Sequence, residues 1–198
     1  MVDNILTEVQ AIKQYAIANK IPIMVDEGIK FLTTFIVQNN INNVLEVGTA
    51  IGYSAIMMCL ANPNLKIVSI ERDEVRYLEA VKNIKKLNLE NRITLIFKDA
   101  IDVIIDGKFD LVFLDAAKGK NIDFFEKFDK NIITGGYIIT DNLGFHGLVD
   151  KDDAEIKSRN LRSLVKKIRE FKLYLEENKY YNTTILNIGD KISLSEKK

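Results

Sequence analysis

Apolar positions recur every three or four residues in the first fifth of the chain, and then the rhythm changes. Ile5, Val9, Ile12 and Ala16 mark one face of a helix over about residues 4–18, and Ile29, Leu32 and Ile36 mark another over about 25–37, the spacing of buried helical stripes. Ile21-Pro22-Ile23 separates them, because proline fixes its own backbone and removes a donor. From Val44 onward short apolar runs alternate with helical stretches: strands are expected over 44–47, 66–70, 93–97, 109–114 and 137–140, helices over 53–60, 74–87 and 122–128, and a short helix over 101–105. The first, second, fourth and fifth runs are continuously apolar, as in strands covered on both faces. A polar, glycine-containing loop leads to a long helix expected over about 153–176. Two last strands, 181–188 and 192–194, meet at Gly189-Asp190, a good hairpin turn. The expectation is one doubly wound α/β domain over residues 1–198, with residues 1–39 as an N-terminal helical cover.

Composition narrows the function classes. With 198 residues and 47% hydrophobic content the chain can bury one sizeable core. Lys+Arg 28 balance Asp+Glu 28, so no whole-protein field announces a polyanion and any such partner needs a local cluster. The one cysteine, Cys59, lies in Ile56-Met57-Met58-Cys59-Leu60. It reads as a buried helix residue, allows no internal disulfide, and fits a cytoplasmic location. No basic segment precedes an apolar core at the start, and no apolar run is long enough to span a bilayer, so no membrane partner is expected.

Candidate chemistry lies where apolar runs end. Asp115 closes Phe109-Asp110-Leu111-Val112-Phe113-Leu114, and Asp141-Asn142 closes Tyr137-Ile138-Ile139-Thr140. If those runs are neighbouring parallel strands, three oxygen donors converge at the carboxyl end of the sheet, where open α/β folds bind ligands. Oxygen-only donors suit Mg²⁺; the competing reading of each site is an Asp that merely starts a turn or caps a helix. Gly48 and Gly52 flank a strand-to-helix turn without forming G-x-G-x-x-G, which weakens the case for a nicotinamide cofactor. Glu71 ends the next strand, 23 positions beyond Gly48, where a carboxylate can accept ribose hydroxyls. Glu46 inside an apolar strand needs partners, and a cofactor ammonium is one candidate. Asp99 and Ala100 end the third strand and could reach an adenine edge, although Asp99 could equally cap the helix after it.

Three segments carry a resemblance: Glu46-Val47-Gly48-Thr49-Ala50-Ile51-Gly52-Tyr53-Ser54, Leu114-Asp115-Ala116-Ala117-Lys118-Gly119 and Gly135-Gly136-Tyr137-Ile138-Ile139-Thr140-Asp141-Asn142. In this order they resemble the metal-dependent class I O-methyltransferases of the catechol and caffeoyl-CoA type, over about residues 21–194. The resemblance implies a Rossmann-like class I methyltransferase fold, with a seven-stranded mixed sheet ordered 3-2-1-4-5-7-6 and an antiparallel seventh strand. It implies S-adenosyl-L-methionine (SAM) and Mg²⁺ as cofactors. Carried onto matching positions, Glu46, Gly48 and Ser54 serve the methionine end of SAM, Glu71 its ribose, and Asp99 and Ala100 its adenine. Asp115, Asp141 and Asn142 bind Mg²⁺, Asp115 also counting toward the cofactor set, and Lys118 accepts or stabilises the proton of the substrate hydroxyl. A homodimer is implied as well. His146, the only histidine, is the runner-up base, with a loop or substrate-contact role preferred, and Gly144 and Gly147 beside it are equally compatible with a mobile lid and with ordinary turn geometry.

The acceptor needs two vicinal oxygens to chelate such a metal. Ile21-Pro22-Ile23-Met24, Glu27-Gly28 and the motifs around Gly48 and Asp115 are especially similar to the branch of the family that methylates 5-hydroxyuridine at the wobble position of bacterial tRNA, giving 5-methoxyuridine. On the long C-terminal helix, Arg159, Arg162, Lys166 and Arg169 oppose Leu161, Leu164, Val165, Ile168 and Phe171. Such a basic face can contact phosphates of a tRNA anticodon region, the bland reading being solvated surface. A small-molecule catechol-like or caffeoyl-CoA-like O-methyltransferase is the alternative. The chain departs from its resembling sequences at Gly144, where a larger apolar residue is usual, and at Asn187, where proline is frequent.

Overall fold

The alternation of apolar runs and amphipathic stretches becomes two compact units, one ending at Val103 and one starting at Ile104, in a computed structural model that describes residues 2–198. In the first unit, α1 (Val2–Ala18) and α2 (Asp26–Gln38) precede β1 (Asn43–Val47), α3 (Tyr53–Ala61), β2 (Lys66–Glu71), α4 (Glu74–Lys86) and β3 (Ile93–Phe97). Helix α2 buries Ile29, Leu32, Phe35 and Ile36, the face its spacing predicts. Lys13 of α1 pairs with Asp26 in the first turn of α2 at 2.5 Å. The strands are parallel, with Glu46 opposite Ser69 and Ser69 opposite Leu95. Asp73 starts α4 by accepting the amide N–H of Arg76 at 3.0 Å, the ordinary work of an N-cap carboxylate. Cys59 is buried, and burial pushes its thiol up to about 11, which suits a packing residue and not a nucleophile.

The second unit runs β4 (Phe109–Leu114), α5 (Asn121–Asp129), β5 (Ile132–Thr140), α6 (Arg159–Glu177), β6 (Tyr181–Leu186) and β7 (Ile192–Lys197), with single 3-10 turns at Lys118–Lys120 and Asp153–Glu155. Strands β4 and β5 are parallel, whereas β7 is antiparallel to both β5 and β6. Phe125 of α5 joins the helices to this sheet: its ring lies 4.8 Å from Tyr181, 5.6 Å from Tyr174 and 6.2 Å from Phe171, all edge-on. Strand order across the sheet is β3-β2-β1-β4-β5-β7-β6, as the resemblance implied. Among the described residues no helix is long and apolar enough to cross a membrane.

Four elements differ from the expectation. No helix forms over 101–105; Asp102 N–H closes a turn onto the carbonyl of Asp99 and the chain then runs irregularly. Val103-Ile104-Ile105 is a β-branched run cut short by Asp106-Gly107, a poor helix nucleus. The long helix starts at Arg159, not near 153, because Asp152 caps only a 3-10 turn and Ser158 supplies a second start by accepting the N–H of Leu161. Strand β5 begins at Ile132: β4 advances from Phe109 to Leu111 while β5 advances from Ile132 to Tyr137. Gly135-Gly136 makes this irregularity possible, since a Cβ on Gly136 would sit 3.0 Å from the Asp110 carbonyl oxygen. The final hairpin is also displaced, β6 ending at Leu186 and β7 continuing to Lys197.

Truncating Phe125, only 1% exposed at the junction of α5, α6 and β6, should cost about 3–5 kcal/mol. Urea unfolding of Phe125→Ala checks this, and a loss under about 1 kcal/mol would mean the aromatic cluster is not a structural centre.

Candidate active site

In the first unit, the turn from β1 into α3 has positive φ at Gly48 (103°), Ala50 (48°) and Gly52 (85°). For the glycines this is free; for Ala50 it is a conformation that its surroundings must hold. Glu71 holds it. Its Oε2 accepts the Ala50 amide at 2.8 Å, and its Oε1 accepts the amides of Arg72 and Asp73, each at 2.9 Å. A carboxylate offers about four acceptor directions, so Glu71 can still take one hydroxyl while fixing the turn. Two glycines without side chains and a buried carboxylate with acceptor capacity fit a nucleoside cofactor.

Glu46 is fully buried in β1. Ser54, in the first turn of α3, donates to its Oε1 at 2.5 Å, and Ser69 of β2 donates to its Oε2. Ser69 Oγ in turn lies 2.5 Å from Thr49 Oγ1. Glu46 and Ser54 are therefore brought together, and the carboxylate anchors both the helix start and the turn. Asp99 accepts the amide of Ile101 at 3.0 Å and pairs with Arg72 at 3.1 Å, so it caps a turn where a helix had been expected. Ala100 beside it is buried. Sequence reasoning missed Ser69 and Thr49; the signal was a serine within Ile67-Val68-Ser69-Ile70, directly opposite Glu46.

In the second unit, Asp115 follows β4 and Asp141 follows β5, whose last paired residues are Leu114 and Thr140. Parallel neighbours thus end in two carboxylates. Lys118, on the 3-10 turn, donates to Asp115 Oδ1 at 2.7 Å, with both side chains largely covered at 16% and 20% exposure. Asn142 has φ 66° and turns its amide back, so that Nδ2 donates to Asp141 Oδ2 at 2.7 Å and lies 3.3 Å from Asp115 Oδ1. Burial, then the charge of Asp115, pushes the Asp141 carboxyl up to about 7, against the pull of Lys118 and the Asn142 N–H. Asp115, Lys118, Asp141 and Asn142 therefore form one cluster.

That cluster fits a hard cation. Two converging carboxylates repel each other when both are ionised, and a divalent ion would relieve the repulsion. Among the described residues no three His, Cys, Asp or Glu side chains gather to hold a metal, so a cation here would need the Asn142 carboxamide as its third side-chain donor. A half-turn of the Asn142 amide would replace Nδ2 by Oδ1, the oxygen that Mg²⁺ prefers.

The basic face proposed on α6 is mostly spent internally. Arg162 donates to the Ile156 carbonyl at 3.0 Å. Arg169 reaches the Val149 carbonyl at 2.9 Å, Asp153 at 2.6 Å and also the Lys151 carbonyl. Arg159 is exposed, and Lys166 sits 3.8 Å from Glu170. His146 is 81% exposed, its Nδ1 3.8 Å from Asp190.

The O-methyltransferase family model matches residues 2–198. The chain is 29% identical over 190 residues to the caffeoyl-CoA O-methyltransferase of Populus kitakamiensis, covering 92% of this chain and 80% of that protein. A crystal structure from Staphylococcus aureus described as a caffeoyl-CoA O-methyltransferase superposes with TM-score 0.92 at 32% identity, covering 96% of this chain and 92% of that one. The Bacillus cereus O-methyltransferase solved with SAH superposes with TM-score 0.84 at 25% identity, covering 97% and 91%.

Because the folded Asp141 keeps its proton up to about pH 7, whereas an unfolded Asp releases it near pH 4, its contribution to stability is present below about pH 4 and lost as pH rises toward 7. Thermal melts in chelator should show stability falling across this window, and Asp141→Asn should flatten the slope. An unaltered slope in the variant would mean other groups set it.

Proposed function

This chain belongs to the O-methyltransferase family, and from that premise we propose that it moves the methyl group of SAM to a hydroxyl bearing a second oxygen on the adjacent carbon. The observation that carries the acceptor class is the cluster of Asp115, Asp141 and Asn142 with Lys118 hydrogen-bonded to Asp115. Gly48 and Ala50 shape the turn for the cofactor, Glu71 takes a ribose hydroxyl, and Glu46 with Ser54 sets the start of α3. Asp99 and Ala100 flank the adenine. SAM supplies an electrophilic methyl on a sulfonium, so the protein's task is to orient and prepare the oxygen. Asp115, Asp141 and Asn142 would hold Mg²⁺, which stabilises an oxyanion and favours a bidentate acceptor. Lys118, its amine oriented by Asp115, handles the hydroxyl proton. The new oxygen–carbon bond forms as the sulfur–carbon bond breaks, releasing S-adenosylhomocysteine.

Within this chemistry the acceptor we favour is 5-hydroxyuridine at the wobble position of tRNA, whose 5-hydroxyl lies beside the 4-oxo group. The support is the likeness of Ile21-Pro22-Ile23-Met24, Glu27-Gly28 and Asp115-Ala116-Ala117-Lys118-Gly119 to that branch. With Arg162 and Arg169 tied to their own chain, the proposed phosphate contacts on α6 reduce to Arg159 and Lys166, working in a homodimer. A free vicinal diphenol is the second reading, favoured by a relative named for caffeoyl-CoA.

Two experiments test the proposal. Lys118→Ala should lower the single-turnover methyl-transfer rate on the order of 10²–10⁴-fold with SAM affinity little changed; an unchanged chemical step would remove Lys118 from the reaction. With labelled SAM and Mg²⁺, the protein should be offered unmodified tRNA, tRNA carrying 5-hydroxyuridine, and free catechols. Nucleoside mass spectrometry should find 5-methoxyuridine only from the hydroxylated tRNA. Efficient catechol turnover with no RNA product would transfer the conclusion to the second reading.

A further inference from the structure

The loop over residues 142–153 leaves the carboxylate cluster through a backbone that would not hold itself. Asn142, Phe145, His146 and Gly147 have φ of 66°, 45°, 55° and 75°, and three of these residues carry side chains. Such conformations persist only where neighbouring contacts over-determine them. The contacts come from the β6–β7 turn. Leu143 N–H donates to the Lys191 carbonyl at 2.9 Å and Gly144 N–H to the Asp190 carbonyl at 2.7 Å. His146 N–H is shared between both carboxylate oxygens of Asp190, each at 2.9 Å. Lys191 also pairs with Asp150 at 2.5 Å.

An aspartate in a tight turn ordinarily caps its own turn. Here the side chain, 17% exposed, turns instead to an amide 44 positions away in sequence. Gly144 is what permits the approach, because a Cβ there would lie 2.7 Å from Asp190 Oδ1 and 3.0 Å from its carbonyl oxygen. Any side chain at 144 would have to push the β6–β7 turn away. Arg169 grips the far part of the same loop at Val149, Lys151 and Asp153, but Asp190 grips within four residues of Asn142.

We infer that Asp190 is a positioning residue for the cation site: through the amides of Gly144 and His146 it fixes the loop whose first residue, Asn142, provides the third donor. The inference rests on the Mg²⁺ reading of Asp115, Asp141 and Asn142. Charge and strap can be separated. Asp190→Asn and Asp190→Ala both remove a negative charge near Asp141, but only the alanine variant loses the acceptor for His146 N–H.

Calorimetric titration of Mg²⁺ without acceptor, amide hydrogen exchange over residues 144–146, and SAM affinity as a check on folding form the test. Asp190→Ala should raise the Mg²⁺ dissociation constant roughly tenfold or more, the usual effect of losing a group that orients a metal ligand, and should speed exchange at His146. Asp190→Asn should recover most of both. Gly144→Ala, which forces a methyl against Asp190, should reproduce the alanine phenotype. Mg²⁺ affinity equal in Asp190→Ala, Asp190→Asn and the parent protein overturns the positioning role, as does unaltered exchange. A parent protein that binds no Mg²⁺ overturns the cation reading itself, a result distinct from equal affinities.

Discussion

Much of the second unit follows from one electrostatic constraint: two aspartates end adjacent parallel strands, and one of them is almost wholly buried. Asp141 is 3% exposed, and the Asp115 charge adds to the desolvation that already disfavours its ionised form. A fold tolerates such a pair only by bringing compensating groups to it. Lys118 is delivered by a 3-10 turn and Asn142 by a left-handed backbone, each spending local regularity to meet the carboxylates. Two acids in one place, with only Lys118 as a cation beside them, are the feature on which the cation reading rests.

The first unit uses buried acids differently. Glu46 and Glu71 lie on neighbouring strands, and each binds groups of the β1–α3 turn or its flanks: hydroxyls of Ser54 and Ser69 for Glu46, the Ala50 amide for Glu71. Hydrogen bonds to an ionised acceptor are roughly twice as strong as neutral ones. They are strong enough to keep Ala50 at positive φ, a conformation alanine rarely adopts. A carboxylate that holds a turn and keeps an acceptor direction free would couple loop order to binding if it received a ligand hydroxyl, so under the proposed ribose role ligand affinity and local rigidity should not be separable at Glu71.

Legibility tracked the range of the forces involved. Most elements were readable because burial on both sheet faces writes largely apolar runs, as in Val44–Val47 and Phe109–Leu114, whereas strand order was legible only through the family resemblance. The candidate residues at strand ends were readable because polar punctuation after such runs is conspicuous. Three things were hidden. Gly135-Gly136 lies outside the strand expected over 137–140, yet it supports an irregularity that lets β5 begin at Ile132. Ile101 and Ile105 have helical spacing, but the β-branched run Val103-Ile104-Ile105 between polar ends is too short to nucleate a helix. The tethering of Arg162 and Arg169 depends on where a loop distant in sequence returns, which the helical pattern on α6 does not encode.

Arg169 and Asp190 were the hardest to read, and for the same reason. A charged residue on a helix or in a turn is compatible with solvent exposure, so its pattern does not reveal a buried or tethered function. Arg169 gives three hydrogen bonds to residues 149–153, and Asp190 receives one amide shared across both oxygens. Together they convert a glycine-containing loop that resembled a mobile lid into a braced segment. Bracing is a physical requirement for a side chain acting as a ligand from a loop: the donor must stand ready, since ordering it on binding would cost affinity. Asn142 has no strand or helix of its own to supply that order; Asp115 and Asp141 hold its amide, and Asp190 and Arg169 hold the loop that follows it.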